Sequence, residues 1–186
     1  PCYIGDGCTI QSGASIRSAC SIGMVCKVGG EVEGTIFHGY SNKQHDGFIG
    51  HSYVGEWVNL GADTVGSDLK NTYGNVTVPV NGRSVDSGQM FVGAMIGDHT
   101  KTAIGTRLPT GCVIGYACNV VCIGFAPKFV PSLSWVTEKG PETNDPQKAL
   151  AIARTVVARR NRTYSKHEEA LFMSIQAASA RIELQG

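Results

Sequence analysis

Aliphatic residues stand at Ile4, Ile10, Ile16, Ile22 and Val28, each six positions after the last, and glycine follows three of them at Gly5, Gly23 and Gly29. Four residues after each of the first four comes a small side chain: Cys8, Ala14, Cys20 and Cys26. A period of six fits neither the 3.6-residue repeat of an amphipathic helix nor the two-residue alternation of an ordinary strand. It fits a β-solenoid, whose short strands turn corners at fixed intervals and send one large and one small residue inward per unit. Three units close a triangular coil of about 18 residues.

The pattern resumes at Ile49-Gly50, Val54-Gly55 and Leu60-Gly61, then at Val92-Gly93, Ile104-Gly105 and Ile114-Gly115. Two interruptions are expected to leave the solenoid as loops. The first, residues 33–47, is polar and bounded by glycine. The second, residues 66–88, holds Asn81-Gly82 between two alternating apolar runs, which predicts a tight hairpin. Insertions of this kind gather on one face, usually the binding face.

The solenoid is expected to occupy residues 1–125 and to give way to an irregular, proline-rich arm over 126–144, with Phe129 and Trp135 docked on the coil. Two helices follow within 145–186. The first has Asp145 at its N-cap, Pro146 in the first turn and an apolar stripe of Ala149, Ile152, Ala153, Val156 and Val157. The second starts at Ser165, with Glu168 completing a capping box and Leu171, Phe172 and Ile175 on the apolar face.

Composition narrows the class. The chain has 186 residues, 42% hydrophobic, with a formal net charge of +1. It therefore carries no global field for nucleic acid or an anionic membrane. No apolar run approaches the ~18 residues that span a bilayer, and the start in mid-pattern at "PCYIGDG" reads as a piece of a longer protein. Arg159, Arg160 and Arg162 read as a solvated helix end. Seven cysteines suggest a disulfide framework or a metal cluster, yet Cys8, Cys20, Cys26, Cys112 and Cys118 fall in the small inward slot, and Cys2 fits the slot of a unit starting before residue 1. They read as free thiols of the core in a cytoplasmic protein, without the paired spacing that zinc requires.

The motifs "GYSNKQHDGFIGHSYVGEWVNLGA", "SDLKNTYG", "GDHTKTAIGT" and "PKFVPSLSW" carry a family resemblance. The chain resembles the acetyltransferase domain of bifunctional N-acetylglucosamine-1-phosphate uridyltransferase/glucosamine-1-phosphate acetyltransferases, in a variant branch of sugar nucleotidyltransferases. The resemblance implies a left-handed parallel β-helix, a homotrimer, acetyl-CoA as co-substrate in the groove between subunits, and an amino sugar 1-phosphate as acceptor, with no nucleic-acid or membrane partner. The family's general base matches His45. Asn59 matches a position that contacts the sugar, while Ala62 and, further along, Ala94 match positions on the coenzyme path. Phe48 replaces a tyrosine of the better-known branch, and Asp68 an asparagine. No lysine matches the family's phosphate holder; Lys43 and Lys70 are the substitutes that charge allows.

The chemistry accounts for such a site. An amino sugar arrives largely as an ammonium, so a base must take a proton before the nitrogen attacks a thioester carbonyl. An imidazole titrates in the right range and contributes roughly 10²- to 10⁴-fold. Corner N–H groups suit the oxyanion, and no metal is needed. Bland readings stand beside these. His45 can merely cap its loop, His51 reads as structural, and His99 can bind coenzyme or close a corner. Asn59 can belong to an asparagine ladder. Tyr53 and Trp57 can pack on a neighbouring subunit or on the arm. A solenoid that only trimerises and regulates a nucleotidyltransferase is the competing function.

Overall fold

The computed structural model describes residues 1–183 and is a parallel β-solenoid with two helices. Its first face stacks seven short strands in the order Tyr3–Ile4, Ser21–Ile22, Ile36–Phe37, Tyr53–Val54, Met95–Ile96, Val113–Ile114 and Phe129–Val130. Their registers give successive coils of 18, 15, 17, 42, 18 and 16 residues. The other two faces are built alike from Thr9–Ile10 and Ser15–Ile16 onward. The coil is of the left-handed type.

The interior follows the six-residue rule closely. On the first face Ile22, Phe37, Val54, Ile96, Ile114 and Val130 stack inward, all at 2% exposure or less. Each such side chain contributes about 1.5–3 kcal/mol on burial. The small slot beside the first corner is filled in turn by Cys8, Cys26, Ser41, Val58, Thr100, Cys118 and Ser134. Several of these donate to the next coil: Cys26 Sγ to His38 O at 2.8 Å, Ser41 Oγ to Gly55 O at 2.6 Å and Thr100 Oγ1 to Gly115 O at 2.8 Å. The cysteines thus share a role with serine and threonine, as donors to corner carbonyls. All seven are free thiols, and burial pushes Cys112 and Cys118 up to about 12.

At the first corner one residue per coil takes a left-handed backbone: Val25, Tyr40, Trp57, His99, Ala117 and Leu133, with φ between 53° and 62°. The coils stack so closely there that a Cβ on Gly97 would lie 2.8 Å from the Gly115 carbonyl carbon. Glycine after the aliphatic is therefore a packing requirement.

Three boundaries differ from the sequence reading. Residues 33–47 do not leave the coil: Ile36–Phe37 and Asn42–Lys43 are paired rungs, and the inward positions Phe37, Lys43 and Ile49 keep the spacing of six. The rung was hidden because a lysine holds an aliphatic slot and two shortened coils break the phase. Ile104, read as an inward aliphatic, is 78% exposed; Thr102 and Leu108 fill the neighbouring interior slots. The solenoid also continues past 125, since Phe129–Val130 and Ser134–Thr137 pair with the rungs before them. Ser134–Thr137 then folds back as a hairpin with Gly140–Thr143. Trp135 lies on the outside of that rung, 41% exposed, and is not docked.

The long coil contains the expected hairpin, Thr77–Val80 against Arg83–Asp86. Asn81 and Gly82 both have positive φ, 46° and 75°, the geometry a two-residue turn needs to match strand twist. Helix α1 (Pro146–Ala158) is capped by Asp145 Oδ1 through Gln147 N at 2.8 Å, and α2 (Lys166–Ile182) carries the full Ser165–Glu168 capping box. At 1.5 Å per residue, 13 residues of α1 reach about 20 Å. That matches about four rungs at ~4.8 Å, from Leu133, which accepts from Asn144 N, back to Asn42, which accepts from Arg160. Helix α2 returns along the same corner. Phe172 is fully buried against Ala117, Leu133 and Ala149, and Glu183 accepts from Ser132 N at 2.7 Å. Leu171, placed on the apolar face, is 59% exposed.

Candidate active site

His45 follows the Asn42–Lys43 rung at the corner between the second and third faces. Its imidazole is exposed and lines an open hollow of about 440 Å³ with Gln11, Ser12, Gly30, Asp46, Ala62 and Asp63. The coil below holds the backbone in place: Asp63 N donates to Asp46 O at 3.1 Å.

Lys43 is not at the surface. Its side chain is 1% exposed and runs inside the coil, and its ammonium donates to Gly29 O at 2.9 Å and His45 O at 2.7 Å. Burial lowers its pKa to about 8, with Asp46 and Asp63 opposing the shift. This lysine cannot hold a sugar phosphate. It pins the carbonyl of His45 from beneath, which fixes the backbone that carries the imidazole.

The remaining expected residues are dispersed. Phe48 and Asp68 meet on the third face, both beside Gly50. Asp68 Oδ2 bonds His51 Nδ1 at 2.8 Å, and the His51 ring tilts against Phe91 with centroids 5.3 Å apart. His51 is thus an imidazole oriented by a carboxylate, at a corner where its own φ is 46°. Asn59 stands on the outside of the second face and accepts from Asn42 Nδ2 at 3.2 Å, a two-residue asparagine ladder. Lys70 lies in the long coil and is turned to its own loop, where its ammonium donates to Asn75 O.

Two coenzyme residues are misplaced by the sequence reading. Ala94 is fully buried inside the coil and offers no side chain to a groove. His99 is 5% exposed beneath α2. Its ring lies parallel to Trp57 at 6.4 Å and is edged by Tyr116, Tyr164 and Phe172 at 5.6, 5.8 and 6.0 Å. Burial, with the Lys101 charge second and Glu168 opposing, lowers its pKa to about 4. It closes a corner as a neutral ring. Trp57 is likewise internal to the chain, stacked on Tyr40 at 4.3 Å.

The sequence reading missed one polar surface. On the second face the outward positions Lys27, Asn42, Asn59, Lys101 and Asn119 form one column. Lysine or asparagine immediately before each interior position was the available signal. The arginines after α1, read as a solvated helix end, turn onto this surface: Arg160 donates to Asn42 Oδ1 at 2.7 Å, and the Arg162 guanidinium sits 4.9 Å from the centre of the Tyr40 ring.

A parallel coil of six-residue units with paired helices on one corner defines the class, a hexapeptide-repeat β-solenoid. Over 81% of this chain and 88% of the other, at a TM-score of 0.56 and 12% identity, it superimposes on AntD, an N-acyltransferase from Bacillus cereus in complex with dTDP-4-amino-4,6-dideoxyglucose and coenzyme A. At that identity the likeness is one of fold. The sequence resemblance is more particular. The chain is 34% identical over 85 residues, 46% of its length, to a bifunctional sugar-1-phosphate nucleotidylyltransferase/acetyltransferase of Sulfurisphaera tokodaii. It is 33% identical over 109 residues, 59% of its length, to the bifunctional protein GlmU of Methanococcus vannielii. These matches span 21% and 26% of those relatives' own lengths. No protein-family model matches the chain.

Proposed function

We propose that this chain is an acetyl-CoA-dependent N-acetyltransferase acting on an amino sugar 1-phosphate of the glucosamine 1-phosphate type, and that it forms the acetyltransferase part of a bifunctional sugar nucleotidyltransferase. The observation that carries the reading is the position of His45: an exposed imidazole on a backbone pinned by buried Lys43, in one hollow with Ala62. The resemblance to bifunctional nucleotidylyltransferase/acetyltransferases supports the same class, and a scaffold that only trimerises would not need a held imidazole. The protein works as a homotrimer, because a hollow this open needs a second wall from a neighbouring subunit to enclose a coenzyme.

His45 takes the proton of the amino group as the nitrogen approaches the thioester. Lys43 acts only by position, holding the carbonyl of the base. As the C–S bond breaks the nitrogen releases its second proton to solvent, and the imidazolium passes the first to the departing thiolate. His45→Ala should lower turnover with acetyl-CoA and glucosamine 1-phosphate by about 10²-fold or more, leaving coenzyme affinity and the melting temperature close to wild type.

The carboxylate partner of His51 favours a second assignment of the base within the same function. His51→Ala is expected to reduce stability more than rate, since it breaks the 2.8 Å bond to Asp68. If the two variants exchange these phenotypes, His51 is the base. If both retain wild-type turnover, the acyl-transfer mechanism through a histidine is wrong.

A further inference from the structure

The cationic column on the second face adjoins the His45 hollow. Gln44 lines both, and between α1 and the coil the column is the floor of a second hollow, of about 330 Å³. Lys27 and Lys101 come from the floor, Arg159 and Arg160 from the end of α1, and Asn42 and Asn59 supply amides between them. No carboxylate lines it among the described residues. Four cations drawn together without a counter-charge repel one another, and a solenoid face with no ligand would be better served by alternating charge.

The hollow is built rather than incidental. Lys101 is held by its ammonium donating to His99 O at 2.7 Å, and Arg160 by its bond to Asn42. Lys27 and Lys101 lie three rungs apart on the column, about 14 Å, with the two asparagines between. The arginine pair reaches that interval from above, because α1 is long enough to end there.

The walls also say what kind of anion fits. Two aromatic side chains, Tyr40 and Trp57, line the hollow, and the faces of both are already engaged. Trp57 lies between Tyr40 and His99, and Tyr40 is covered by Trp57 and by the Arg162 guanidinium. The hollow therefore offers charge and amide donors but no free ring face on which a nucleobase could stack. Neither lysine expected from the sequence is available for this task, since Lys43 is inside the coil and Lys70 is bonded to its own loop.

We infer that the hollow between the second face and α1 is the phosphate subsite of the sugar acceptor, with Lys27, Lys101, Arg159 and Arg160 as its cations and Asn42 and Asn59 as hydroxyl or phosphate donors. This rests on the proposed acetyltransferase reading and adds to it the group that recognises the sugar phosphate. It also gives α1 a function, because two of the four cations follow its last residue.

The test uses glucose 1-phosphate, which carries the phosphate but no amine, so that binding does not depend on acetyl transfer. Calorimetric titration of the whole chain should show binding that weakens with added salt. The double variant Lys27→Gln/Arg159→Gln should lose about tenfold or more in that affinity, since each cation contributes a charge-assisted contact. Titration with adenosine 3′,5′-bisphosphate, the phosphate-bearing end of the coenzyme, should be unaffected. The single variant Lys27→Gln, at an outward position, gives the same direction should the double variant lose its fold. Equal affinity for glucose 1-phosphate in wild type and variants overturns the inference, as does absence of binding to wild type. A loss confined to the bisphosphate assigns the hollow to the coenzyme instead. Should the sugar phosphate bind as stated while His45→Ala leaves turnover intact, only the assignment of the base falls.

Discussion

Replacing Lys43 by methionine tests whether a buried cation holds the candidate base in place. The side chains are similar in length, so the slot between Val28 and Leu60 stays filled, while the ammonium and its bonds to Gly29 O and His45 O are lost. In the folded chain Lys43 titrates at about 8 against an ordinary 10.5. The gap corresponds to roughly 3 kcal/mol spent at neutral pH on keeping a charge inside the coil. Against this, methionine leaves the buried carbonyl of Gly29 and the part-buried carbonyl of His45 without a donor, at about 1–3 kcal/mol for the buried one and less for the other. The terms nearly cancel at pH 7, so stability alone is a poor readout there. The pH dependence is a good one. Because the folded pKa is depressed, the unfolded chain binds more protons between pH 8 and 10.5, and wild-type stability rises with pH in that window. Above it the neutral amine keeps two N–H groups for the same two carbonyls. Integrated from pH 7 to pH 10, the wild type should gain roughly 2–3 kcal/mol relative to Lys43→Met. The assay is urea unfolding of both proteins at matched ionic strength, with the difference taken at each pH so that the thiols and tyrosines common to both subtract out. A difference that stays flat across that range would refute the buried-ammonium account. Turnover should fall in the variant with little change in coenzyme affinity, since the imidazole's backbone loses its pin.

Phe172→Ala removes the side chain that seats α2 on the first corner and should cost about 3–5 kcal/mol; by opening the cover over His99 it should also move that imidazole's titration from about 4 toward its ordinary range, read by NMR. Light scattering should give the mass of three chains with closed threefold symmetry, and a monomer at all concentrations would remove the second wall on which the proposed site depends.

The period of six, read from Ile4 to Val28, was sufficient to determine the solenoid, and cap chemistry at Asp145 and Ser165 was sufficient to place both helices. Asn81-Gly82 fixed its hairpin for the same reason: turn type, caps and interior spacing are set by residues a few positions apart. Packing between coils was not legible in that way. Lys43 reads as a surface charge in any local window, and only the stack Val28, Lys43, Leu60 shows it inside, with its partners 14 and 2 residues away. The same holds for His99, whose cover comes from a helix that begins 67 residues later, and for Ala94, whose side chain direction depends on the phase after a 42-residue coil. Lys27 and Arg159 share a hollow because the length of α1 matches about four rungs. A solenoid writes its interior in local spacing, but what lies on its faces is decided by how many residues each coil contains and by what the chain lays across them afterward.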